Sequence, residues 1–106
     1  MIMMDVDVLE RNVREASGLL KCLSNDRRLM IVCELSSGEK SVGALEERVG
    51  LTQSALSQHL ARLRKDGIVR TRRDSQRIYY SLVDANVTRM LETLAELYCP
   101  TGSEEA

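Results

Sequence analysis

Between Gln53 and Lys65 the polar side chains are of the kinds that read nucleic acid. Gln53, Ser54, Ser57, Gln58 and His59 carry donors and acceptors short enough to meet base edges, and Arg62 follows at the basic end. Amides and hydroxyls suit a duplex groove, where each base pair displays its own donor and acceptor pattern. Ser54 and Ala61 are small and let a helix approach closely. A second set follows downstream: Arg72, Arg73, Gln76 and Arg77 lie on or beside the polar turn Asp74-Ser75-Gln76. Cations at such a turn would meet phosphates or a minor groove. A surface helix that is merely polar would show the same residue types, so the order of the surrounding elements has to decide. His59, the one histidine, stands at the edge of the apolar positions. It fits a packed side chain bonded inward or a DNA contact, and both readings stay open.

Cys22, Cys33 and Cys99 are the other groups with reactive chemistry. Their wide, irregular spacing makes neither a disulfide framework nor a CxxC zinc pattern. In a reducing cytosol they begin as thiols. One histidine and three scattered cysteines supply a transition-metal site poorly. A thiol peroxidase or sulfurtransferase would lack a CxxC and any positioned base beyond His59. No enzyme activity, metal or cofactor is expected.

The elements that must position the reading residues follow from periodicity and capping. Leu9, Val13, Ala16, Leu19, Leu20 and Leu23 recur at helical spacing and predict a first helix from Val8 to about Leu23. Ser24-Asn25 can cap a second helix, and Asp26 favours its first turn; the helix ends near Ser36, before Ser37-Gly38. Its centre, LMIVCEL, is apolar nearly all round, so burial on several sides is expected, with Cys33 inside that run. Ser41 can cap a third helix over Val42–Val49, closed by Gly50. Thr52 caps the fourth, and Leu51 can staple onto Leu56. Leu56, Leu60 and Leu63 then face inward, while Ser54, Ser57, Gln58, Ala61, Arg62 and Lys65 face out. The short gap between the third and fourth helices fits a helix-turn-helix. IVRTRR and RIYYSL flank the polar turn as a β-hairpin. Ile78, Tyr80 and Leu82 alternate onto one face, with Arg77, Tyr79 and Ser81 on the other. Asp84 caps a fifth helix to about Tyr98, with a wide apolar stripe of Val87, Met90, Leu91, Leu94, Ala95, Leu97 and Tyr98. The fold class is therefore mainly α: a winged helix-turn-helix of five helices plus a β-hairpin wing after the fourth.

The bulk numbers agree with that class. A chain of 106 residues, with three Tyr and neither Trp nor Phe, needs an aliphatic core and makes one small domain over 1–106. Residues 1–7 and 101–106 read as disordered tails, and Pro100 blocks further helix. The net charge of −1 hides a strong asymmetry. Residues 51–80 hold seven cations against Asp66 and Asp74 and carry +5, so the remainder carries −6. A polyanion responds to that local field and not to the mean. A pure protein-interaction module would leave the basic segment unexplained. The N-terminus has acids where a signal peptide has cations, and no apolar run approaches a membrane span. A cytoplasmic protein with no membrane partner is expected.

LTQSALSQHLARLRKDGIVRTRRDSQRIYYSL closely resembles the reading helix and wing of the ArsR/SmtB family of bacterial repressors, and LLKCLSNDRRLMIVCELSSGEKSVGAL resembles the helices that precede them. The resemblance runs from about Leu19 to Pro100. It implies a homodimer built on the first and last helices, bound to a double-stranded DNA operator and released by an inducer. One family metal site uses a Cys-x-Cys near the start of the third helix, where this chain has Val42-Gly43-Ala44. Another uses carboxylates and histidine along the last helix, where Asp84, Glu92 and Glu96 stand without a histidine. Cys33 and Cys99 instead match the dithiol, persulfide- and redox-sensing branch.

That match implies a redox-sensing pair. Reactive sulfur species or an oxidant would act as inducer, bridging Cys33 to Cys99 by a disulfide or polysulfide and shifting the reading helices off their groove spacing. The alternative keeps the DNA binding and drops the sensing: a constitutive regulator, or an anti-silencer that displaces another DNA-coating protein.

Overall fold

Asp5 starts the first helix. Its carboxylate accepts from the backbone N–H groups of Asp7 and Val8, and α1 runs Val6–Leu23, two residues earlier than periodicity alone indicates. The computed structural model describes residues 4–99, so the expectations for 1–3, Pro100 and the C-terminal tail fall outside the described residues. Asn25 caps α2 (Asp26–Leu35) by accepting from the N–H of Arg27 and Arg28. Lys40–Ser41 form a short strand, β1, and the Ser41 hydroxyl then caps α3 (Val42–Val49). Gly50, at φ 73°, turns the chain in a left-handed conformation that suits a residue without a Cβ.

Thr52 caps α4 (Gln53–Lys65), whose end is a Schellman closure. Gly67 N–H bonds to Arg64 O and Ile68 N–H to Leu63 O, with Gly67 at φ 73°. Ile68 and Leu63 are both buried and supply the hydrophobic contact that accompanies this motif. β2 (Val69–Asp74) and β3 (Arg77–Leu82) then form the hairpin, and Asp84 caps α5 (Ala85–Tyr98). The sheet has three antiparallel strands in the order β1-β3-β2. β1 is absent from the sequence expectation because two residues carry no alternation; only its long-range pairing with Tyr79 and Tyr80 makes it a strand.

The core gathers Ile31, Val32 and Leu35 of α2, Leu45 and Val49 of α3, and Leu56, Leu60 and Leu63 of α4. Ile68 and Val69 close it from the hairpin side, Val87 and Leu91 from α5, and Cys22 and Leu23 from the end of α1. Leu51 packs against this cluster, and the alternation places Tyr80 and Leu82 on it from β3. The burial of α2 expected on several sides is only partial, with Ile31, Val32 and Leu35 inside. Met30 is 46% exposed and Cys33 lies on the surface, while Cys22 is the cysteine fully inside.

α1 packs on the core only through its C-terminal end, where Leu19 joins Cys22 and Leu23. Only Cys22 and Leu23 of it are buried, and Val6, Val8, Leu9, Val13 and Leu20 remain exposed. Leu97 and Tyr98 of α5 are exposed as well. The described chain has a radius of gyration of 15.5 Å and extents of 48 × 39 × 21 Å. A compact chain of this length would have a radius near ~13 Å. Among the described residues, no helix is long and apolar enough to cross a membrane.

Candidate nucleic-acid interface

The concave side of the molecule is a groove of about 1170 Å³ between α3, α4 and the hairpin. α4 contributes Gln53, Ser57, Ala61, Arg64 and Lys65; the wing contributes Gln76, Arg77, Ile78 and Tyr80. Ser41, Val42, Gly43 and Ala44, with the carboxylates of Glu46 and Glu47, form the third wall. Helix periodicity explains the α4 set, since these side chains share one flank beside the buried Leu60. The wing set follows from a two-residue turn: Asp74 pairs with Arg77, and Ser75 takes the left-handed conformation at φ 61°. Polar groups for base edges and cations for phosphates thus line one surface.

The expected residues sort into three groups. Gln53, Ser57, Gln76 and Arg77 converge on the groove. Ser54, Gln58 and Arg73 are exposed and stand outside its lining, and by periodicity Ser54 and Gln58 lie on the outward face of α4. Arg62 and Arg72 are drawn into ion pairs, and His59 is partly buried. Arg62 turns away from the groove and bonds Asp66 at 2.9 Å, which holds the Asp66 carboxyl below its usual range. Arg72 is bound to Glu39. His59 is half-buried, and desolvation, aided by the Arg28 charge, lowers its pKa and favours the neutral ring. Lys65, expected on the outward side of α4, lines the groove, and so does Arg64, which the sequence expectation did not place there. Arg64 sits between the inward and outward sides of the helical wheel, and only the position of the wing decides which flank matters.

The cysteines require a correction. Cys22, Cys33 and Cys99 are all free thiols, and Cys33 and Cys99 stand unbridged on the surface. A sensor thiol needs cationic surroundings that favour the thiolate. Cys33 has the opposite: partial desolvation pushes its pKa up, and Cys99 and Glu34 push it further. Buried Cys22 is also raised, by desolvation first and then by Asp66. The expected Cys33–Cys99 redox bridge is therefore not supported, and the reactive sulfur or oxidant inducer falls with it. Among the described residues, no three His, Cys, Asp or Glu side chains gather into a cluster that could hold a metal ion.

Comparison with known proteins bears on the same surface. The family described as bacterial regulatory protein, arsR family, matches residues 25–71, which take in α2, α3, α4 and the start of β2. The chain is similar to the transcriptional activator HlyU of Vibrio cholerae, at 49% identity over 91% of this chain and 89% of the relative. It is also similar to the biofilm growth-associated repressor of Xylella fastidiosa, at 44% identity over 86% of this chain and 80% of the relative. The crystal structure of the transcriptional repressor BigR from Xylella fastidiosa superposes with a TM-score of 0.86, at 43% identity over 91% of this chain and 98% of that one. These relatives are transcriptional regulators, not enzymes.

Proposed function

Because the chain belongs to the ArsR family of bacterial regulatory proteins, we propose that it binds a double-stranded DNA operator as a homodimer and regulates transcription without a thiol switch. The observation that carries this reading is the groove that unites Gln53 and Ser57 of α4 with Gln76 and Arg77 of the wing. α4 enters the major groove, with Ser54 and Gln58 on its outward face for base edges. Arg73, Gln76 and Arg77 take the flanking backbone, and Arg64 and Lys65 hold the phosphates between helix and wing. The dimer forms through the exposed apolar faces of α1 and α5, and places two copies of α4 at half-sites roughly 34–36 Å apart.

The curated relatives include one named an activator and one named a repressor. The same binding surface serves both signs. A bound dimer blocks polymerase where its operator overlaps a promoter, and activates where it displaces another DNA-coating protein. The sign is therefore a property of the operator's position.

A gel shift on duplex from upstream of the protein's own gene tests the reading. Reduced, oxidant-treated and persulfide-treated protein should bind with the same affinity, as should Cys33→Ser and Cys99→Ser. Loss of binding that requires both thiols would overturn the switch-free form. Failure to prefer any duplex over random DNA would overturn the function itself.

A further inference from the structure

Arg72 and Arg73 are adjacent in sequence, yet the strand alternation sends them to opposite faces of the sheet. The pairs Val69–Leu82 and Thr71–Tyr80 lie on the core side with Arg73–Ile78; Arg72–Tyr79 and Arg70–Ser81 lie on the other. On that outer face Arg72 is held from several directions. Its Nε and Nη2 donate to the two Glu39 carboxylate oxygens at 3.0 and 2.7 Å, a bidentate fork. Its guanidinium lies 4.6 Å from the centre of the Tyr79 ring, and Nη1 stands 3.9 Å from Asp74. Glu39 also accepts from the Ser81 hydroxyl at 3.4 Å. Glu39 directly precedes β1, which pairs with β3 and not with β2. The fork therefore crosses the central strand and ties the outer strand of the wing to the segment that leads into α3.

We propose that the Glu39–Arg72 pair is a brace that fixes the wing against the helix-turn-helix, making Arg72 a positioning residue for DNA binding and not a phosphate contact. The inference rests on the DNA-binding reading. The wing's cations then have separate roles, with Arg77 meeting DNA at the tip and Arg72 setting where the tip stands. A phosphate drawn to Arg72 would have to break the fork and approach the Glu39 carboxylate, which repels it. Glu39 thus occupies the guanidinium that composition alone would assign to DNA.

Fluorescence anisotropy of the full chain on its own upstream duplex, over a salt series, tests the brace. The variants are Glu39→Gln, Arg72→Gln, the two combined, and the charge exchange Glu39→Arg with Arg72→Glu. Both side chains are partly exposed, so the fold should tolerate these changes. Each single variant should weaken binding on the order of 3- to 10-fold, the combined variant no more than either, because coupled residues do not add. Weakening by Glu39→Gln is the sharpest expectation, since removing a negative charge should otherwise tighten binding to a polyanion. The slope of affinity against salt should stay as in wild type, and the charge exchange should restore most of the binding. A slope reduced by about 0.9 in Arg72→Gln, the signature of one lost phosphate contact, would overturn the brace. So would tighter binding by Glu39→Gln. Hydrogen exchange of the free protein gives a DNA-independent readout: β2 amides should exchange faster in both single variants with the α2 and α4 amides unchanged, and unchanged β2 exchange would overturn the brace. A wild-type chain that binds no duplex would instead remove the DNA-binding reading beneath it.

Discussion

Gln58 and Arg77 stand for the two kinds of work the interface asks of its side chains. An amide on the outward face of α4 can pair two atoms of one base, so Gln58→Ala should relax preference at a single operator position by about 1–3 kcal/mol and leave the salt dependence unchanged. Arg77, exposed at the wing tip, should act on the backbone. Arg77→Ala should weaken binding to all sequences alike and flatten the salt slope by about 0.9. Competition binding with operator variants at two salt concentrations separates these outcomes. Glu39 adds a pH prediction. The Arg72 hydrogen bond is the largest influence on its carboxyl and holds it below the ordinary Glu range. A depressed folded value means the contact is complete above the unfolded pKa and is lost as pH falls through the folded one. Side-chain NMR should show Glu39 titrating below the usual Glu midpoint, and Arg72→Gln should move it back up. Gln53, Ser57, Gln76 and Arg77 were legible in the sequence because helix period and turn position fix where they point. The engagement of Arg72 was not, since its partner lies thirty-three residues earlier and no local pattern links them. The exposure of Cys33 was equally hidden: an apolar run does not say which of its sides meets the core.

At the scale of elements, the caps were the clearest part of the sequence. Ser41, Thr52 and Asp84 each sit where a side-chain oxygen satisfies the first free N–H groups of a helix, and the structure uses all three. Gly67 is as legible, because a helix that must turn sharply into a strand favours a residue free to adopt positive φ. Gly67→Ala meets open space but keeps φ 73°, so its cost is conformational. It should destabilise the fold by roughly 1–2 kcal/mol, lowering Tm by about 4–16 °C in calorimetry. Leu56→Ala removes a fully buried anchor of α4 and should cost about 2–5 kcal/mol. β1 marks the limit of local reading. Lys40 and Ser41 have no strand signature, and only β3 beside them makes one.

At the scale of the whole molecule, a single protomer leaves apolar helix faces uncovered. An amphipathic α1 that buries two residues, an α5 whose Leu97 and Tyr98 face outward, and a radius of gyration above that of a compact chain are the features on which the proposed dimer rests. If the partner is another copy of this chain, sedimentation should give twice 11.9 kDa, and Tm should rise with protein concentration. Leu97→Glu should yield monomers and abolish tight operator binding while sparing the core, because Leu97 is 64% exposed. The amphipathic pattern of these helices was readable in the sequence, but that Val87 and Leu91 are buried while Leu97 and Tyr98 stay exposed was not, since both sets belong to one apolar stripe.

The most direct measurement is the affinity of the wild-type protein for its own upstream duplex, taken with reduced and with persulfide-treated protein against excess random DNA. Binding at least ~10³-fold tighter than to random duplex, and equal in the two preparations, is the expected result. Equal displacement by random DNA, or release on treatment, would contradict a switch-free operator-binding regulator.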